Sequence, residues 1–176
     1  MRDGWMRRLA LAGIAALVTA ACAVQTPVAT RPSSRAAAGV ATPAPAELER
    51  EIHLQVDQYR ARRGLPPLAY DERVAAVARS HSAAMASGAR AFGHEGFQER
   101  TEAVTRALPT VRAFAENVAY DSRTGPHLAQ LVVQGWIDSP AHRANLEGRY
   151  DLTGIGVAVA RNGRRYFTQI FAGSGR

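Results

Sequence analysis

Apolar residues between 46 and 63 recur at spacings of four, four and three (Leu48, Ile52, Val56, Tyr59), the repeat of one helical face, and Gly64 stops the pattern. Pro66-Pro67 then forces an extended turn. A second helix is expected from Asp71, a natural N-cap, through Val74, Ala78, His81 and Met85 to Gly88. Phe97 to Leu108 reads as a short third helix closed by Pro109, and Val111 to Tyr120 has the apolar content of a strand. Gly125-Pro126 opens a fourth helix through Leu128, Leu131, Val132 and Trp136, halted by Ser139-Pro140. After Asp151 the period changes to two. Ile155, Val157 and Val159 alternate, Arg161-Asn162-Gly163-Arg164 predicts a type I′ turn, and Tyr166, Thr168 and Ile170 alternate on the return. Helices with an antiparallel sheet in one chain predict an α+β fold.

The first residues change the picture of where this domain works. Arg2, Arg7 and Arg8 precede an uncharged apolar run from Leu9 to Ala20 that is too short to span a bilayer, which is the pattern of a secretory signal peptide. Its end, Leu17-Val18-Thr19-Ala20-Ala21-Cys22, resembles a bacterial lipobox, in which the cysteine becomes the lipidated first residue; ordinary cleavage near Ala21 or Ala23 is the alternative. Cys22 is the single cysteine, so neither an internal disulfide nor a cysteine metal site can form. A free thiol is a liability in an oxidising compartment, and a lipid cap removes it, so a membrane-anchored lipoprotein facing the periplasm or the cell exterior is expected. Residues 23–45 are rich in Ala, Pro, Ser and Thr without periodic apolar spacing and read as a linker. Residues 46–176 are a typical size for one domain, and a monomer is expected.

All 22 basic residues are arginine, against 15 acidic ones, and the net charge of +7 falls by two when Arg2, Asp3, Arg7 and Arg8 leave with the signal. The arginines of the domain are interspersed with acidic residues (Glu49, Arg50, Glu51; Asp71, Glu72, Arg73; Glu99, Arg100), the pattern of a solvated face. There is no basic stripe with interleaved aromatics, and nucleic acid is not an expected partner.

Candidate chemistry lies in three short segments: Phe92-Gly93-His94-Glu95-Gly96, Ala115-Glu116-Asn117-Val118-Ala119 and Ser139-Pro140-Ala141-His142-Arg143-Ala144-Asn145. Each puts a titratable group beside turn residues rather than on a long apolar face. His81, by contrast, sits at helical spacing between Val77 and Met85 and reads as a buried, hydrogen-bonded histidine. Ser139 lies near His142, but no Gly-x-Ser-x-Gly elbow surrounds it, and His94-Glu95 lacks the second histidine of a zincin.

The order of these segments resembles bacterial members of the CAP superfamily, the cysteine-rich secretory and pathogenesis-related proteins. The matches are Gln58-Tyr59-Arg60, Leu65-Pro66-Pro67-Leu68, Ala78-Arg79-Ser80-His81-Ser82, Phe92-Gly93-His94, Glu116-Asn117-Val118-Ala119, the run from Trp136 to Leu146, and Gly154-Ile155-Gly156-Val157. The resemblance implies a three-layer α-β-α sandwich with a central antiparallel sheet. It also implies a cavity in which His94, Glu116 and His142 hold a divalent cation such as zinc, with Asn117, Ser139, Arg143 and Asn145 in support. The fourth family ligand falls on Ser139, beside Asp138, so the set is open rather than closed. The leading expectation is a non-catalytic binding module for a cell-envelope component or small ligand. The alternatives are a metal-assisted hydrolase of an envelope polymer or peptide with Glu116 as general base, and a lipid or sterol carrier.

Overall fold

The structure is a computed structural model that describes residues 41–174. The signal segment, Cys22 and most of the 23–45 linker lie outside the described residues. In chain order the elements are α1 (Pro45–Arg62), β1 (Ala69–Tyr70), α2 (Glu72–Ser87), α3 (Phe97–Ala107), β2 (Ala113–Asp121), α4 (Leu128–Asp138), α5 (Pro140–Leu146), β3 (Leu152–Val159) and β4 (Arg165–Gly173). Among the described residues no helix is long and apolar enough to cross a membrane.

The sheet runs β1-β3-β4-β2, with β3, β4 and β2 antiparallel and the two-residue β1 parallel to β3. The β3–β4 register pairs Ile155 with Gln169 and Val157 with Phe167, so alternate side chains face opposite layers. On one side Ile155, Val157, Phe167 and Phe171 pack under Leu48, Ile52 and Val56 of α1 and Val132 and Trp136 of α4. On the other, Ile170 and Ala172 meet Val74 and Ala78 of α2 and Val104 of α3. The alternation predicted the strands because each face of the sheet has its own apolar layer to fill.

How closely α2 rides on β3 is set by two glycines. A Cβ on Gly154 would overlap the backbone of Val74 and Ala75, and one on Gly156 the backbone of Ala78 and Arg79. At this separation the buried Ser82 hydroxyl reaches the Gly156 carbonyl at 2.9 Å and the Thr168 hydroxyl at 2.8 Å, which satisfies a polar group in the interior.

The structure changes four local readings. The fourth helix stops at Asp138, but Pro140 then occupies the first turn of the separate helix α5, a position where a missing N–H costs nothing. His142 therefore lies inside α5. The β1 strand is too short to carry a periodic signal. The hairpin turn is closed by the Gly163 N–H to the Ala160 carbonyl at 2.9 Å, with Gly163 left-handed at φ +81°; this is a three-residue loop with a glycine bulge, one residue out of step with the expected type I′ turn. Finally, the solvated-face reading fails at Glu49 and Arg100, which are both buried. Glu49 lies under Arg79, accepting its Nη2 at 2.8 Å, and takes the Val157 N–H at 3.0 Å.

Candidate functional site

Strand β2 is an edge strand, and its register places Glu116 on the face covered by α2 and α3. Helix α3 brings Arg100 onto that carboxylate: Nε donates to Oε2 at 2.6 Å and an Nη donates to Oε1 at 2.7 Å. The same guanidinium donates to the backbone carbonyls of Glu95 at 2.8 Å and His94 at 3.2 Å. One buried arginine thus clamps Glu116 and fixes the loop that carries His94. Bidentate, charge-assisted bonds of this kind are the geometrically specific ones.

His94 completes the arrangement, with Nδ1 2.9 Å from Oε1 of Glu116. The Glu116 side chain is 1 % exposed and that of His94 52 % exposed, so the pair joins the interior to solvent. With Nδ1 oriented by the carboxylate, the other ring nitrogen is left to face a ligand. The glycine-flanked segment reaches this position through His81, whose Nε2 bonds the Gly93 carbonyl at 3.0 Å. Burial lowers the pKa of His81 below the usual histidine value, so it is held neutral. The helical spacing of His81 forecasts this structural role.

The third segment is tied to the first two by asparagines. Asn117 donates to the His142 carbonyl at 3.2 Å, and Asn145 donates to the Asn117 side-chain oxygen at 2.9 Å and to the Glu116 carbonyl at 3.1 Å. Arg143 donates to the Ile137 carbonyl at 3.2 Å and joins α5 to α4. Ser139 gives its carbonyl to the Arg143 N–H at 2.8 Å, and its hydroxyl makes no capping bond. His142 stays partly exposed; its pKa is lowered first by burial and then by His94, which lies near enough for charge on one ring to disfavour charge on the other.

A divalent cation does not fit this donor set. Both Glu116 oxygens are committed to Arg100, and a cation placed there would meet the guanidinium. Asp138, beside the fourth family position, accepts from Gln134 at 2.8 Å instead. Among the described residues no group of three His, Cys, Asp or Glu side chains is arranged to hold a metal ion. The charge pattern put Arg100 on a solvated face, yet it sits three residues after Phe97 and four before Val104, on the apolar stripe of α3. That spacing is the signal that could have found it.

Comparison with known proteins places the fold. The model of the cysteine-rich secretory protein family, CAP, matches residues 54–171. The chain is 30 % identical over 125 residues to the uncharacterized membrane protein YlbC of Bacillus subtilis, a match covering 70 % of this chain and 34 % of that protein. An extracellular protein containing an SCP domain from Bacillus anthracis superposes with a TM-score of 0.57 at 28 % identity, covering 73 % of this chain and 41 % of that one. An outer surface protein of Borrelia burgdorferi shares the fold at a TM-score of 0.64 and 17 % identity, covering 75 % and 96 % of the two chains. The chain thus spans about a third of the length of the Bacillus subtilis relative.

Proposed function

Because the chain belongs to the cysteine-rich secretory protein (CAP) family, we propose that it is an exported, lipid-tethered binding module of the cell envelope, whose polar ligand is held by His94 and His142. The observation that carries this reading is the commitment of Glu116: with Arg100 on both oxygens and His94 on one, the carboxylate positions its neighbours and is not free to activate water. The groups left for a ligand are the solvent-facing nitrogen of His94 and the ring of His142. An imidazole can both donate and accept hydrogen bonds, and a pair of them suits a ligand that does the same. The tether is supported by the single cysteine after a short apolar run.

The test is retention of purified protein on an isolated envelope fraction. The His94→Ala, His142→Ala double variant should lose retention while keeping its melting temperature; unchanged retention would remove the site from the account.

A second reading is favoured by the 2.9 Å contact between His94 Nδ1 and Glu116 Oε1. A carboxylate-oriented imidazole is a general base, and the protein would then be a hydrolase of an envelope peptide or polymer in which His94, not Glu116, takes the proton from water. This reading requires turnover that His94→Ala abolishes. The binding-module reading requires that envelope material bound by the wild-type protein is recovered chemically unchanged.

A further inference from the structure

The free end of the sheet carries a second surface, formed by the β3–β4 turn and the end of β2. Arg161, Arg164 and Arg165 surround the turn, and among the described residues none of them is in an ion pair. Asp121, opposite Arg165 in the ladder, is already neutralised by Arg123 at 2.6 Å. The Arg164 guanidinium lies 4.6 Å over the Tyr120 ring, and its Nε is buried without a hydrogen-bond partner. Tyr120 in turn packs edge-to-face against Phe92 at 4.8 Å. Phe92, Tyr120 and Val159 are respectively 47 %, 50 % and 46 % exposed. Uncompensated guanidiniums and half-exposed apolar side chains therefore share one end of the sheet, with Phe92 and Tyr120 on the face covered by α2 and α3 and Val159 on the face covered by α1 and α4.

We propose that this end docks on the surface of an anionic lipid bilayer, with Arg161, Arg164 and Arg165 at the headgroup phosphates and Phe92 and Val159 in the boundary between headgroups and acyl chains. The arginines alone would suit any polyanion. The apolar side chains select the bilayer, because a soluble polyanion offers them nothing apolar to enter while a lipid interface takes aromatic and aliphatic side chains beside basic ones. Juxtaposed arginines gain from the negative surface potential and lose that gain with salt. The inference does not depend on the His94 cleft.

The full chain should be tested by flotation with vesicles of phosphatidylcholine alone and of phosphatidylcholine with 30 % phosphatidylglycerol, the latter being the order of anionic content that gives a useful surface potential. Binding should rise on adding the anionic lipid, and that increment should fall by about a hundredfold in the Arg161→Gln, Arg164→Gln, Arg165→Gln variant. The corresponding triple lysine variant should retain it, since charge is conserved. Phe92→Ser with Val159→Ser should weaken binding to the anionic vesicles as well. Three outcomes overturn the proposal: an increment unchanged in the triple glutamine variant, which would assign it to the arginines near the N-terminus; a lysine variant as weak as the glutamine one; or vesicle binding indifferent to Phe92 and Val159 but displaced by heparin, which would make a soluble polyanion the partner.

Discussion

The Arg100 guanidinium and the Glu116 carboxylate are both out of solvent, and each is the other's counter-charge. Removing one strands the other, which is far more costly than removing both. Arg100→Met is therefore expected to destabilise the domain by about 3–5 kcal/mol in urea unfolding, and Arg100→Met with Glu116→Leu to recover much of that loss. A double variant as unstable as the single would mean that the carbonyl bonds of Arg100 to residues 94 and 95 matter more than the ion pair. His142 is the other informative residue. Its pKa is lowered in the fold, so the unfolded chain takes up the proton first. Its contribution to stability is complete above the ordinary histidine value of about 6.5 and is lost as pH falls below it. Its ring resonances should titrate below that value in NMR. In His94→Ala the midpoint should rise but stop short of 6.5, because burial is the larger cause and His94 the smaller. A full return to the ordinary value would reverse that order.

Among elements, the contact between α2 and the sheet leaves the least room at the glycines of the described residues. Gly154 and Gly156 face the backbone of α2, not a movable side chain, so an added methyl can be accommodated only by lifting the helix. Gly156→Ala should cost about 1–3 kcal/mol or more, read as a lower melting temperature, and should also stretch the Ser82 bonds to Gly156 and Thr168. A neutral result would show that α2 can shift without loss. The long helices and the hairpin strands were legible because each repeats its period several times against an apolar layer. The seven-residue α5 and the two-residue β1 were not, because one or two turns of pattern cannot be told from chance, and Pro140 stops one helix and begins another with the same residue. Glu49 and Arg100 were misread for a related reason. Each is a charged residue on an apolar stripe, and only its partner in space, Arg79 or Glu116, makes burial affordable.

For the whole molecule, the boundary of the folded unit can be tested by truncation. Thr42 Oγ1 accepts the Gly125 N–H at 2.7 Å, a contact made just before α1. A chain beginning at Ala46 loses that bond, Pro45 at the start of α1 and the Ala44 carbonyl that accepts from the N–H groups of Glu47 and Leu48, and should still melt cooperatively, less stable by about 1–3 kcal/mol; aggregation would show that more of the preceding segment belongs to the fold. Cys22→Ser should move the protein from the membrane fraction to the soluble one after a high-salt wash, since salt screens any contact made by the arginines of the hairpin. Retention through that wash would place the anchor elsewhere. Periodicity and motif order are local properties of the chain, and they were enough for the α+β class, the helix and strand periods, the family resemblance and the three segments that carry His94, Glu116 and His142. It could not determine what Glu116 is bonded to. Its partner came from packing α3 against an edge strand, which set a guanidinium from sixteen residues earlier onto both of its oxygens.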